Sequence, residues 1–225
     1  MKISVIIPTL NESKTLASTL EHLLPLGPEE VLIADGGSTD GTLEIASRYP
    51  VQVVKSGRGR GLQMNAGAGE ARGEVLLFLH ADSRVSAAGL AALRRALESG
   101  PWLGGAFHLK IDSPRTCLQW ISRLANLRSR WLHLVYGDQA MFVRARVFEE
   151  LGGFASLPIC EDLEFYRRLK RRGPVLLLRE ETLTSPRRWN ADGVAYTTFR
   201  NAVIASAFLL GFSPRILSRW YPPRR

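Results

Sequence analysis

Along the first hundred residues, short β-branched and aliphatic runs alternate with stretches where apolar residues recur every three or four positions. Ile3 to Pro8 is a nearly continuous apolar run, as a strand covered on both faces requires. Leu16, Leu20, Leu23 and Leu24 follow on one face of a helix. Val31 to Ala34, Val51 to Val54 and Val75 to Leu79 predict the second, third and fourth strands. Between them the pattern predicts a helix carrying Leu43 and Ala46 with Asp40 as its N-cap, then a Gly-rich loop and a helix of small residues. Ser86 caps an Ala/Leu helix that ends near Gly100. Such alternation predicts an α/β fold with a mostly parallel central sheet flanked by helices.

The second half is less regular. Gly104 to Ile111 predicts a strand, Thr116 to Leu134 a helix, and Gly137 to Val143 another strand. Cys160 to Arg172 is a helix with a basic exposed face, and Val175 to Leu178 a last strand. From Asp192 onward a helical tail interleaves aromatic and apolar residues. There are no repeats, low-complexity segments or clean linkers. We expect a single domain over residues 1–190 and a C-terminal helical extension over 191–225. That extension packs on the domain or lies at a membrane or subunit interface.

Charge narrows the partners. With 30 Lys+Arg against 21 Asp+Glu in 225 residues, the net charge is +9, which suits nucleic acid, anionic lipid or phosphorylated small molecules. The cations are dispersed, with clusters at Arg58/Arg60, Arg167 to Arg172, Arg187/Arg188 and Arg224/Arg225. No long basic run with interleaved aromatics marks a nucleic-acid surface. Cys117 and Cys160 stand far apart, without metal-ligand spacing, which argues against a disulfide framework or a zinc site. The chain enters a strand directly, which predicts no signal peptide, and Ala202 to Phe212 is too short to span a bilayer. The expectation is a cytoplasmic protein that touches the inner face of a membrane peripherally.

Polar residues follow each early strand. They are Pro8, Asn11 and Glu12, then Asp35 to Asp40, then Arg58 and Arg60, then His80 and Asp82. In a parallel sheet these ends share one edge, where ligands bind. Asp35-Gly36-Gly37-Ser38-Thr39-Asp40-Gly41-Thr42 is not a dinucleotide fingerprint, and Gly57 to Gly61 lacks the G-K-[ST] of a P-loop. Asp35 either accepts hydrogen bonds from a base edge or ribose, or belongs to a tight turn capped by Asp40. Asp82, ending an apolar strand, suits a divalent cation bridging to a diphosphate, or caps the next helix. His80 touches a ribose, orders the site, or is an ordinary packed histidine. Glu161-Asp162 opens a helix, where carboxylates suit either the dipole or a general base. Arg187-Arg188-Trp189 offers guanidinium forks for phosphate and an aromatic face for a ring, or is an exposed basic turn.

In order and spacing, S-V-I-I-P-T-L-N-E from Ser4, D-G-G-S-T-D-G-T from Asp35, H-A-D from His80 and E-D from Glu161 resemble the family 2 glycosyltransferases, which have the GT-A fold. The likeness covers roughly residues 1–190, and L-F-L-H-A-D with R-R-W resembles a small bacterial subgroup. The resemblance implies a metal-dependent inverting transfer from a nucleoside-diphosphate sugar, UDP- in preference to GDP-, to an acceptor hydroxyl. By it, Asp162 is the catalytic base with Glu161 beside it. Pro8, Thr9, Asn11, Glu12, Asp35, Gly37, Arg58, Arg60, Asn65, His80 and Ala81 hold the nucleotide, Asp35 at the base. Asp82 ligates Mn²⁺ or Mg²⁺. Gly137, Asp138 and Gln139 lie near sugar or acceptor, and Arg187, Arg188 and Trp189 close over diphosphate or acceptor. A lipid-linked acceptor and a homodimer remain open.

Two positions depart from the family pattern. His80 stands where the first Asp of D-x-D is usual, leaving metal ligation to Asp82. Gln63-Met64-Asn65-Ala66-Gly67 lacks the Arg of A-R-N-x-G, and Arg58 or Arg60 replaces it by charge. One other reading is a sugar-phosphate nucleotidyltransferase, but Pro8-Thr9-Leu10-Asn11-Glu12 stands where that class needs a Gly-rich basic loop. Another is a non-catalytic nucleotide or lipid-surface binding module, against which Asp82 and Asp162 are both present.

Overall fold

The computed structural model describes residues 1–221; the Arg224/Arg225 cluster lies outside the described residues. The chain runs β1 (Ile3–Thr9), α1 (Leu16–Leu23), β2 (Glu30–Asp35), α2 (Thr42–Ala46), β3 (Gln52–Lys55), α3 (Arg60–Glu70) and β4 (Val75–Phe78). Next come β5 (Ser83–Val85), α4 (Ala87–Ser99), β6 (Gly104–Ile111), α5 (Thr116–Leu132), a 3-10 turn at Gly137–Gln139, β7 (Phe142–Arg144) and α6 (Ala145–Glu150). It ends with α7 (Glu161–Arg172), β8 (Val175–Thr184), α8 (Arg187–Asp192), α9 (Val194–Leu209) and α10 (Pro214–Leu217).

The strands form one sheet in the order β3-β2-β1-β4-β7-β6-β8-β5. β1 to β4 are mutually parallel, as is the β6/β8 pair. β7 runs against β4 and β6, and β5 against β8. The expected α/β sheet is therefore mixed, with its parallel part concentrated in the first four strands. β7 is reversed because the chain enters it at the edge where β4 ends: the Phe78 N–H donates to the Met141 carbonyl.

Side-chain alternation splits the core into two layers. Ile3, Val5 and Ile7 pack with Leu16, Leu20, Leu23 and the α4 leucines on one face. Ile6, Leu32, Ala34 and Phe78 pack with Met64, Phe148, Phe154 and Phe165 on the other. The aromatic rings there meet at 4.6 Å for Phe154/Phe165 and 4.9 Å for Phe78/Phe154. Phe165 lies one turn beyond Glu161 and Asp162, so this cluster also seats the start of α7. Ser86 caps α4 as its sequence implies, its hydroxyl accepting from the Gly89 N–H at 3.0 Å. Asp40 does not occupy the cap of α2; Gly41 does, with φ 85°, while the Asp40 carboxylate accepts the Thr42 N–H at 3.1 Å.

Three expectations need correction. Residues 137–143 are not one strand: a 3-10 turn holds Gly137–Gln139, and only Phe142–Arg144 pairs. The Gly137 N–H goes to Asp162 rather than to a neighbouring strand. β8 continues six residues past Leu178, because its polar end pairs with β6 beyond a bulge at Phe107/His108 and with β5. The short β5 was not anticipated. Among the described residues no helix is long and apolar enough to cross a membrane.

Replacing Phe165 by Ala should lower unfolding stability by about 3–5 kcal/mol, the usual cost of an aromatic-sized hole in a packed core. Urea denaturation followed by circular dichroism measures it; a loss below about 1 kcal/mol would show that α7 is not seated by this cluster.

Candidate active site

The carboxyl ends of β1 and β4 open into a cavity of about 760 Å³. Its rim is built by loops that tie one another down. Asn11 adopts a left-handed backbone (φ 57°), its N–H donating to Ser38 Oγ and its Oδ1 accepting from the Thr39 N–H, both at 2.9 Å. Asp35 is buried and accepts from Thr9 Oγ1 (3.0 Å), Ser38 Oγ (2.5 Å), and the N–H groups of Gly37 (2.9 Å) and Ser38 (2.8 Å). Its two oxygens are thus occupied by its own loop, and Asp35, Thr9 and Gly37 do not line the cavity.

Asn65 and Gln139 are not brought to the cavity either. The Asn65 amide exchanges two hydrogen bonds of 2.8 Å with the backbone of Phe154. Gln139 is buried, donating to the Phe107 carbonyl at 3.1 Å and accepting from Ser129 Oγ at 2.8 Å. The other expected residues do converge. Pro8, Asn11, Glu12, Arg58, Arg60, His80, Ala81, Asp82, Gly137, Asp138, Glu161, Asp162, Arg187, Arg188 and Trp189 all line the cavity.

Charge is balanced inside it by specific pairs. Arg187 donates through both Nη atoms to Glu12 at 2.7 and 2.9 Å, and its Nε lies 2.8 Å from Asp82 Oδ2. One guanidinium therefore bridges the carboxylates that follow β1 and β4. Burial pushes the Asp82 carboxyl up, Arg187 opposes that rise, and Glu12 adds to it. Arg60 lies 3.5 Å from Glu161, whose carboxyl burial likewise pushes up against the pull of Arg60.

Asp162 is placed by backbone. Cys160, with φ 64°, turns the chain into α7 and puts Asp162 in its first turn. Asp162 Oδ2 accepts the Gly137 N–H at 2.6 Å and Oδ1 its neighbour Leu163's N–H at 2.7 Å. A Cβ on Gly137 would lie 2.7 Å from His80 Nε2 and 3.4 Å from Asp162 Oδ2, so glycine is what lets this turn close on both. Each carboxylate oxygen keeps a second lone pair for a ligand.

His80 Nε2, Asp138 Oδ1 and Arg188 Nη1 are buried without a hydrogen-bond partner among the described residues. Such groups are rare and cost about 1–3 kcal/mol each. Together with Trp189 Nε1 and Asn201 Oδ1 they make five in one cavity lining, and mark where a polar ligand would bond. Burial, then the charges of Arg60, Arg187 and Arg188, hold His80 well below the ordinary histidine range, so it is neutral at neutral pH. Burial also pushes the Asp138 carboxyl up to about 6.

The lining includes residues that the strand-end motifs did not indicate: Tyr136, Asn201 and Tyr221. Arg128 stacks 3.6 Å from the Tyr136 ring centroid and Arg188 4.5 Å from that of Tyr221. Gln63, noted only for departing from the usual motif, donates through Nε2 to the carbonyls of Thr9 and Ala34 and also lines the cavity. No local signal points to Tyr221, which reaches the cavity from the far end of the chain.

The residues fit a divalent cation only in a sparse form. Among the described residues no three His, Cys, Asp or Glu side chains are grouped to hold a metal. Asp82 is a half-buried carboxylate near that of Glu12, with Arg187 already serving both as counter-cation. One carboxylate with phosphate oxygens as the remaining ligands matches that donor set.

Residues 4–151 match the family described as glycosyl transferase family 2. The chain belongs to that family. It is 24% identical over 201 residues to the probable glycosyltransferase YdaM of Bacillus subtilis (strain 168), covering 76% of this chain and 47% of YdaM. It is 33% identical over 109 residues to the dolichol-phosphate mannosyltransferase of Pyrococcus furiosus, covering 44% of this chain and 31% of that one. The chain thus spans less than half the length of these relatives. Its fold is similar to S. aureus TarS 1-349 crystallised with UDP-GlcNAc, with TM-score 0.68, 22% identity and coverage of 82% of this chain and 58% of that one. It is also similar to glucosyl-3-phosphoglycerate synthase from Mycobacterium tuberculosis, crystallised with Mn²⁺, UDP and glucosyl-3-phosphoglycerate. There the TM-score is 0.59 at 20% identity, covering 80% of this chain and 70% of that one. These likenesses establish the GT-A architecture of this family 2 chain.

The raised Asp138 carboxyl gives a signed prediction. Its folded value of about 6 lies above the unfolded value of about 3.9, so the folded state binds the extra proton and stability falls as pH rises from 4 through 6. Asp138→Asn removes that penalty. At pH 8 the variant should be more stable than the parent by on the order of 2 kcal/mol, and at pH 4 by little. Urea titrations at the two pH values measure it; an equal effect at both would refute the buried-carboxyl account.

Proposed function

We propose that this family 2 protein is a metal-dependent, inverting glycosyltransferase. It moves a sugar from a nucleoside-diphosphate sugar, UDP- in preference to GDP-, to an acceptor hydroxyl. The observation that carries the reading is Asp162, held by the Gly137 N–H at the wall of a cavity that also gathers Arg58, Arg60, Arg187 and Arg188. The fold neighbours crystallised with UDP-GlcNAc, and with UDP and Mn²⁺, support the donor class. Family membership favours sugar transfer over nucleotidyl transfer.

In this mechanism the loop after β1 receives the nucleoside, and Asp35 behind it fixes the adjoining β2 loop through Gly37 and Ser38. The four guanidiniums face the diphosphate, where planar forks match phosphate oxygens. His80 Nε2, neutral and unpartnered, offers one hydrogen bond to a donor hydroxyl. Asp82 would hold Mn²⁺ or Mg²⁺, which when bound neutralises charge on the departing diphosphate. Asp162 takes the acceptor hydroxyl proton as its oxygen attacks the anomeric carbon. The bond from that carbon to the diphosphate oxygen breaks on the opposite side, which inverts the configuration. Glu161, the second carboxyl of the dyad, is paired with Arg60. Asp138 and Trp189, in the same lining, are left to the acceptor.

Release of UDP or GDP from a panel of nucleotide sugars, with Mn²⁺, Mg²⁺ or a chelator, tests the reading. Asp162→Asn should lower turnover by about 10²–10⁴-fold, the range of a lost general base, while leaving Mn²⁺-dependent UDP binding intact. Asp82→Asn should lose both. A fully active Asp162→Asn enzyme would remove Asp162 from the base role.

A further inference from the structure

A second cleft, of about 280 Å³, lies between α5 and α9. Its walls are mainly apolar: Leu124, Leu132, Leu134, Ala205 and Leu209. Tyr136, Asp138, Trp189 and Asn201 line both this cleft and the cavity above, so the two meet at Asp138. The cleft opens through a surface unlike the rest of the molecule. Apart from Val53 and Leu62, every exposed large hydrophobic side chain among the described residues lies on α5 or between Tyr196 and Trp220.

On α5 these residues form one helical stripe, Trp120, Leu124, Leu127 and Trp131, with Trp131 73% exposed. Arg123 and Arg130 are exposed within the same stripe. Beyond the α9 wall of the cleft the C-terminal segment exposes Phe199, Leu210 (79% exposed), Ile216 and Trp220, with Arg215 and Arg219 also exposed. No Asp or Glu occurs from Thr116 to Gly137 or from Gly193 to Tyr221. Aromatic and aliphatic side chains whose only charged companions are arginines suit an anionic lipid interface. A second copy of this chain fits worse, because it would bring the same arginines against themselves.

We propose that the α5/α9 face seats on an anionic lipid surface, and that the cleft receives the hydrocarbon chain of a lipid whose polar head reaches the cavity at Asp138. That this head carries the acceptor hydroxyl rests on the sugar-transfer reading; the lipid contact itself does not. The helical extension from 191 onward then supplies one wall of the lipid site.

Co-sedimentation with vesicles of phosphatidylcholine, with and without phosphatidylglycerol, tests the surface. The full chain should bind the anionic vesicles and be released by high salt. The double variant Arg123→Gln/Arg130→Gln should bind roughly thirtyfold more weakly. Farnesyl phosphate tests the cleft: it should raise the melting temperature where inorganic phosphate does not. Ala202→Trp, which fills the cleft from α9, should abolish that rise while keeping vesicle binding. No binding to anionic vesicles, undiminished binding by the double variant, or an equal response to inorganic phosphate overturns the proposal. So does a dimer in light scattering that Trp131→Ser disperses. UDP binding, followed in parallel, separates the two readings: its loss would count against sugar transfer and leave the lipid site standing.

Discussion

Arg187 joins Glu12 to Asp82, drawing together residues that follow the first and fourth strands and the start of α8. Two carboxylates at the mouth of one cavity repel each other, and burial raises the cost of keeping both charged. A guanidinium between them resolves that conflict and closes the cavity from the C-terminal side. Arg187 keeps 40% of its side chain in solvent, so water softens the link, and it serves position more than stability. That exposure leaves the bridge displaceable where a buried pair would be fixed.

The remaining walls show the same tension between folding and binding. His80, Asp138 and Arg188 each leave a buried polar atom unsatisfied. A fold selected for stability alone would fill these positions with apolar groups or give them partners. They persist on one surface, around the turn that hands its Gly137 N–H to Asp162. Reactive groups are thus held by backbone that cannot relax away: the left-handed Cys160 before α7 and the glycine that admits His80 and Asp162 together. Behind them, the ring cluster of Phe148, Phe154 and Phe165 gives α7 a rigid seat.

The opening strands and their edge could be read from the chain because each is a local matter. Ile3 to Pro8, Val31 to Ala34 and Val75 to Leu79 are too apolar and too short for anything but buried strands, and Ser86 caps its helix through a contact three residues away. Asn65 and Gln139 do not line the cavity, because a family pattern marks position in the chain and not which way an amide points. Both amides meet backbone groups that no neighbouring residue supplies. β8 was read too short for a related reason: the polar end after Leu178 looks like loop until β6 pairs Glu181 to Thr184 on one side and β5 pairs Thr182 to Thr184 on the other.

The sequence by itself determined the α/β class, the sheet edge where the cavity opens, and the carboxylates and guanidiniums gathered there. Periodicity and strand-end placement act over a few residues, so they survive without a structure. Only the tertiary structure decided that Asp35 spends its oxygens on its own loop, that Asp82 is held by Arg187, that Tyr221 reaches the cavity, and that an apolar cleft opens beside Asp138. Hydrogen-bond satisfaction and desolvation depend on which groups meet through space, and the meeting of Asp82 with Arg187 joins residues more than a hundred positions apart.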